Sequence, residues 1–223
     1  MMVFPERHFS PFLAACLVFA AFTPATNAAD MSVVQRWMST NSGVRTIKID
    51  FTQTRTMTSM KVPIRQSGSL WLNYGSNQFR WQVGSPPQTI VTKHNGQLYI
   101  IRTAMKKYER RSANSGDVPH GLMAMATGFP RSTSEFERKY SVQSIDTAGS
   151  TYEIVTQPKG QAGRGVKTFT FILGRDDYRL RGMEIVLSDG SYVKTAFNRV
   201  APNAGIPGNL FTPDITGFTE TKF

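Results

Sequence analysis

From Thr46 onward the side chains keep a period of two, and little else about the chain narrows its fold as much. Between Thr46 and Thr56, Ile47, Ile49 and Phe51 alternate with Lys48, Asp50 and Thr52, which places one set on a buried face and the other in water. That is the pattern of a half-buried strand in an antiparallel sheet. The same grammar recurs with turn signals between segments. Val62 to Asn73 leads into Tyr74-Gly75-Ser76, after which Phe79, Trp81 and Val83 alternate with Gln78, Arg80 and Gln82 up to Gly84-Ser85-Pro86-Pro87. Gln88 to Lys93 and Gln97 to Thr103 flank His94-Asn95-Gly96, whose Asn-Gly pair is a strong hairpin signal. Tyr140 to Ile145 meets Tyr152 to Thr156, Lys167 to Leu173 meets Tyr178 to Leu187 across Gly174 to Asp177, and Ser191 to Val200 follows Asp189-Gly190.

Three stretches break this pattern. In Asp30 to Ser42, Val33, Val34, Trp37 and Met38 share one face at helical spacing, with Asp30 or Ser32 as cap and Asn41 to Gly43 as terminator. Pro119 to Phe129 reads as a second helix, with Leu122, Met123, Ala126 and Phe129 on a stripe, Met125 beside it, and Gly128-Phe129-Pro130 ending it. Ser132 and Glu135 are spaced as a capping box for a short third helix carrying Phe136. No repeat or linker divides the chain. The expected fold is mainly β (α+β): one strongly curved antiparallel sheet of about ten strands, with a few helices against its concave side.

The first residues belong to a different task. Arg7 and His8 precede an apolar run from Phe9 to Phe22, and Pro24-Ala25-Thr26-Asn27-Ala28 supplies small residues, the layout of a secretory signal cleaved after Ala28. The run is short for a membrane anchor. Leu13-Ala14-Ala15-Cys16 also fits the cleavage box of a bacterial lipoprotein, but Leu17 to Phe22 would then follow the acylated cysteine, where polar linkers are usual. The expected division is a signal over residues 1–28 and a single domain over residues 29–223. Cleavage removes Glu6, Arg7 and the one cysteine, so the mature chain keeps the net charge of +11. An exported, cysteine-free and strongly basic protein points to a bacterial periplasm, facing anionic phospholipid or lipopolysaccharide, and away from nucleic acid. Charges dispersed over exposed strand faces would give the same total.

The residues speak against catalysis. Beyond residue 28 the histidines are His94, in a tight turn, and His120, at a helix start, and no Gly-x-Ser-x-Gly elbow is present. Asp176-Asp177 and Asp189 read as hairpin turn residues, so neither a paired-carboxylate site nor a metal cluster is expected. No cofactor is expected.

The run Phe51-Thr-Gln53-Thr-Arg55, then Gly68-Ser-Leu70-Trp71-Leu72, Phe79-Arg80-Trp81, Pro87 and Asn95-Gly96-Gln-Leu98-Tyr99 resembles the periplasmic outer-membrane lipoprotein carrier (LolA) family in order and spacing. Thr168-Phe169-Thr170-Phe171, Ser188-Asp189-Gly190-Ser191 and the stretch from Asn203 to Phe211 extend the likeness over about Val33 to Phe211. The resemblance implies an unclosed, strongly curved antiparallel β-barrel whose short helices form a lid over an apolar cavity. It also implies a monomer that receives the acyl chains of a lipoprotein from an inner-membrane ABC-type exporter and passes them to an outer-membrane acceptor. Its cavity residues map here onto Phe79 and Trp81 of the sheet and onto Leu122, Met123 and Met125 of the lid helix, and the expected lipid-binding set adds Phe51, Leu70, Val83, Met105, Phe129, Phe169 and Phe171. Such a task suits flexible methionines and planar aromatics, which cover variable shapes. Met57, Met60, Met105, Met123 and Met125 are candidates for that lining, or for ordinary core. In the family an Arg-Pro pair commonly latches the lid from the turn before the aromatic strand. The corresponding stretch here, Asn73 to Asn77, has no arginine, so control of the lid is expected from Gln53 or Arg55. The segment from Arg55 to Pro63 resembles relatives that carry a glycolipid or pigment lipid, so acylated lipoprotein and another lipid both stand as cargo. A non-catalytic structural envelope protein is the remaining reading.

Overall fold

The computed structural model describes residues 30–113 and 129–221. Helix α1 (Ser32–Asn41) is followed by β1 (Thr46–Thr56), β2 (Ile64–Asn73), β3 (Gln78–Val83), β4 (Thr89–His94), β5 (Gln97–Arg102) and β6 (Lys107–Ser112). After α2 (Thr133–Lys139) come β7 (Tyr140–Ala148), β8 (Thr151–Pro158), β9 (Val166–Gly174), β10 (Leu180–Leu187), β11 (Tyr192–Pro202) and β12 (Thr219–Glu220). All join one twelve-stranded sheet, in the order β12-β6-β5-β4-β3-β2-β1-β11-β10-β9-β8-β7. The sheet does not close on itself: β12 and β7 remain at its edges.

The expected alternation holds where it is clearest. In β1 the odd positions Ile47, Ile49, Phe51 and Gln53 are buried while their neighbours are half-exposed. Asn95 and Gly96 both take positive φ, 49° and 71°, the conformation of the two-residue turn that suits a twisted hairpin. Asp177 accepts from the Arg179 backbone N–H at 3.0 Å and Asp189 from that of Ser191 at 2.8 Å, so these aspartates shape turns.

The expected count of about ten strands is corrected to twelve. The sequence Lys107-Tyr-Glu-Arg-Arg-Ser112 has no apolar alternation, yet it forms β6, because its inward Glu109 is neutralised rather than replaced by an apolar side chain. The two residues of β12 are too few to carry a period, and they pair in parallel with β6. β2 starts at Ile64 and not Val62, and β10 at Leu180 and not Tyr178, which sits in the turn with φ of 53°.

Helix α1 buries Val33, Val34, Trp37 and Met38, the expected stripe. Its start differs in detail: Met31 is the N-cap and makes no side-chain bond, while the Asp30 side chain, two residues before the helix, accepts from the Ser32 N–H at 3.0 Å. In α2 the capping box is half formed. Ser132 Oγ accepts from the Glu135 N–H at 3.1 Å, but the Glu135 carboxylate reaches past the cap to the Arg131 N–H at 2.9 Å.

Both helices pack on the inner face of the sheet. Trp37 of α1 and Phe136 of α2 meet each other at 6.0 Å between ring centroids and meet Phe171 of β9 at 4.9 and 5.8 Å. The outer face has its own cover. The chain after β11 crosses β3 and β4, where Arg80 donates to the Leu210 carbonyl at 3.1 Å and Thr92 Oγ1 to that of Phe211 at 2.8 Å. Phe211 and Ile101 are each 1% exposed there.

Candidate functional site

Directly paired residues on neighbouring strands share a face, so the pairing register fixes the inner surface residue by residue. Phe51 stands opposite Gly68 on β2 and Phe197 on β11. Leu70 stands between Ile49 and Trp81, Trp81 opposite Val91, and Val91 opposite Ile100. Phe79 and Val83 flank Trp81 on the same strand face. On the other arm of the sheet, Phe171 pairs with Met183 and Ile154, and Phe169 with Ile185 and Thr156. One continuous apolar surface results. Phe51, Leu70, Phe79, Trp81, Val83, Phe169 and Phe171 all lie on it, and all are buried.

The two arms of this surface differ. Phe169 and Phe171, with exposures of 1% and 0%, lie beneath α1 and α2, in contact with Tyr140 at 5.8 and 5.1 Å, so they belong to a packed aromatic cluster. Near α1, Trp37, Val44, Ile47, Tyr74, Phe129 and Leu180 enclose a seam of about 10 Å³, room for one water at most. Phe129 fills the end of that seam and meets Phe197 edge-on at 6.1 Å. Burial among these apolar groups pushes the Tyr74 hydroxyl well above the usual phenol range.

On the other arm, the rings of Phe51 and Trp81 are stacked. The Trp81 indole Nε1 is buried and has no hydrogen-bond partner among the described residues, an exception for a buried donor. This feature is invisible in sequence, because alternation places Trp81 on the face but says nothing of where its N–H points. Polar side chains interrupt the apolar surface: Thr156 does so on the packed arm, where its hydroxyl donates to the Phe169 carbonyl at 2.6 Å, and two others do so elsewhere. Gln53, 4% exposed, donates to Thr195 Oγ1 at 3.3 Å. Glu109, 3% exposed, accepts from Arg102 at 2.7 Å and from Arg111 at 2.8 Å. Sequence reasoning misses that triad, whose one signal is a lone glutamate between basic residues at alternating positions.

The remaining expected residues lie apart. Arg55 is exposed at the end of β1 and shares no contact with Gln53 of a kind that would join them in one latch. Met60 and Met105, 45% and 54% exposed, stand at loop tips, away from the inner rows. Arg80 points to the outer face, as alternation requires. The stretch expected as the second helix, with Leu122, Met123 and Met125, lies outside the described residues except for Phe129 at its end. No group of histidine, cysteine and carboxylate side chains suited to a metal ion occurs among the described residues.

The profile of the family described as outer membrane lipoprotein carrier protein LolA matches residues 42–214. No curated protein matches the sequence. Among solved structures, an uncharacterized conserved protein from Thermus thermophilus superposes with a TM-score of 0.51 at 6% identity, covering 86% of this chain and 97% of that one. A LolA superfamily protein from Nitrosomonas europaea gives 0.44 at 8% identity, covering 83% and 98%. Lipoprotein LppX from Mycobacterium tuberculosis gives 0.45 at 9% identity, covering 79% and 96%.

Proposed function

The chain belongs to the LolA family of outer membrane lipoprotein carrier proteins, and from that premise we propose that it is a periplasmic carrier for the acyl chains of lipoproteins. In this reading residues 1–28 direct export and are removed, and residues 29–223 form one carrier domain. It takes cargo from an inner-membrane ABC-type exporter and yields it to an outer-membrane acceptor, and no bond is made or broken. Each methylene moved from water into an apolar site gains about 0.8 kcal/mol, so an acyl chain crosses the periplasm only if a protein lends it such a surface.

The observation that carries this reading is the orphaned Trp81 N–H beside the apolar side chains of Phe51, Leu70 and Val83. A buried donor left unpaired costs about 1–3 kcal/mol. The ester or amide carbonyl at the head of an acyl chain would recover that cost while its hydrocarbon lies against Phe51, Leu70 and Val83. Lipid then binds with an orientation as well as an affinity. Leu122, Met123 and Met125 are assigned to the same lining on the family pattern alone.

Native mass spectrometry of the protein purified without detergent from a bacterial envelope tests this. Bound acylated peptide is the expected result; a lipid-free protein that also takes up no added lipid would overturn it. One observation favours a different lipid as cargo. The turn from Asn73 to Asn77 closes on itself through Asn73 Oδ1, which accepts from the N–H groups of Gly75 and Ser76 at 3.1 and 3.3 Å, and offers no arginine to a lid. Bound glycolipid or phospholipid in the same experiment would select that reading.

A further inference from the structure

The exposed large hydrophobic side chains among the described residues are Met60, Val62, Ile64 and Met105, at 45%, 71%, 36% and 54%. The sheet topology gathers them. In a meander of antiparallel strands, alternate loops lie at the same end. The loop between β1 and β2, which holds Met60 and Val62, therefore shares an end with the turn between β5 and β6, which holds Met105. β2 and β5 are three strand spacings apart, about 14 Å along the sheet. The first loop also projects. β2 begins at Ile64 but meets β3 only from Gly68, opposite Val83, and is held to the turn after β3 by Ser67 and Gln66, so Ile64, Arg65 and the loop before them stand beyond the neighbouring strand.

Charge follows the same division. The hairpin from Arg55 to Arg65 contains Lys61 and no carboxylate, and the turn from Thr103 to Lys106 contains no carboxylate either. Asp189, in the turn between β10 and β11 at this same end, is engaged by the N–H and hydroxyl of Ser191 at 2.8 and 3.1 Å. At the opposite end the turn after β9 is mixed, with Arg181 paired to Asp177 at 2.9 Å and to Asp176 at 3.4 Å. Apolar tips alternating with lysines are ill suited to the centre of a protein interface, from which lysine is depleted. They suit a bilayer surface, where the apolar tips enter the headgroup layer and lysines lie along it with their ammonium groups on lipid phosphate.

We propose that this end of the sheet, led by Met60, Lys61 and Val62 and supported by Met105 and Lys106, docks on the surface of an anionic phospholipid bilayer. The net charge of +11 supplies long-range attraction to such a surface, and the loop tips supply a point of contact. Docking requires no cargo, so it stands or falls separately from lipid carriage.

The test is sedimentation of the purified protein with vesicles of phosphatidylglycerol and phosphatidylethanolamine, against vesicles of phosphatidylcholine. Binding to the anionic vesicles that weakens with added salt is expected. Lys61→Gln should weaken it about fivefold, and Met60→Ser with Val62→Ser should weaken it further at any salt concentration. Arg175→Gln, at the opposite end, should bind as the unaltered protein does. These side chains are exposed, so each variant should melt at the same temperature and hold an apolar dye equally well. No vesicle binding, equal binding to neutral vesicles, or undiminished binding by the loop variants would each overturn the proposal. Unchanged vesicle binding by a protein that takes up no lipid would leave it standing and remove carriage alone.

Discussion

The rings of Phe51 and Trp81 lie 5.9 Å apart and within 6° of parallel, on strands that are not neighbours. β2 runs between them, and it lets them meet because it presents Gly68 at that point. The Phe51 ring leans over this glycine: a Cβ there would stand 2.5 Å from Phe51 Cζ and would also strike the Gln82 carbonyl oxygen. A cross-strand stack of this kind contributes about 0.5–1.5 kcal/mol beyond the area it buries.

Gly68→Ala should therefore destabilise the protein although alanine is the better residue for most regular structure. The methyl group must displace the Phe51 ring and push on the backbone of β3, overpacking that costs about 1–3 kcal/mol. Thermal unfolding measures this, and quenching of Trp81 fluorescence reports whether the stack is lost with it.

Trp81→Phe separates packing from hydrogen bonding. Phenylalanine keeps an aromatic ring opposite Phe51 but removes the unpaired N–H. Stability should fall by less than the usual cost of a large-to-small change, about 1 kcal/mol or below, since a buried donor without a partner disappears. Affinity for an acyl ester should drop by roughly tenfold if the indole donates to its carbonyl. A titration with a fluorescent acyl ester and with its hydrocarbon analogue distinguishes the two, as only the ester should lose affinity. The carrier role of Phe79 is less open to such a test: at 1% exposure, Phe79→Glu would bury a carboxylate in the core and unfold the sheet before its lipid binding could be read.

Glu109→Gln should cost about 1–2 kcal/mol. The carboxylate is 3% exposed and shared by Arg102 and Arg111, whose side chains are 37% and 21% exposed, so the change weakens two charge-assisted hydrogen bonds at a site that water screens in part. Replacement of all three by apolar residues should restore much of that loss, which chemical denaturation of the single and triple variants would show.

The α2 start gives a pH dependence with a definite sign. Burial acts to raise the Glu135 pKa, but hydrogen bonds from Lys139 and the Arg131 N–H outweigh it and hold the carboxyl below its ordinary 4.5. A carboxylate whose pKa is depressed in the folded state stabilises that state fully above its unfolded value and loses the contribution as pH falls through the folded value. The melting temperature should therefore decline below about pH 4.5, and Glu135→Gln should flatten that decline while lowering stability at neutral pH.

How far the sequence disclosed the molecule depended on what each residue was buried against. β1, β3 and the Asn95-Gly96 hairpin were legible because a period of two and a positive-φ turn are local properties. The stripe of Val33, Val34, Trp37 and Met38 was legible for the same reason, with a period near four. β6 was not, since its inward position is held by Glu109, and a carboxylate is acceptable there only because Arg102 of the neighbouring strand and Arg111 of its own close on it. The inner face could be listed from Phe51, Leu70, Trp81 and Val83, yet its division into a packed arm under α1 and α2 and an arm with an unpaired indole N–H needed the tertiary arrangement. Met60 and Met105 show the limit most plainly. Composition marks them as apolar, and only topology places them on loop tips at one end of the sheet.

The pairing of β12 with β6 joins residues more than a hundred positions apart, Tyr108 and Glu220 among them. A chain emerging from its N-terminus makes β6 early and leaves its outer row of amides uncovered until nearly everything else has been delivered. Residues 219–221 then cover the first two positions of that edge. Folding order and aggregation risk are thereby tied to this short segment: a form without it, however well its core assembles, lengthens the open edge that can recruit another molecule.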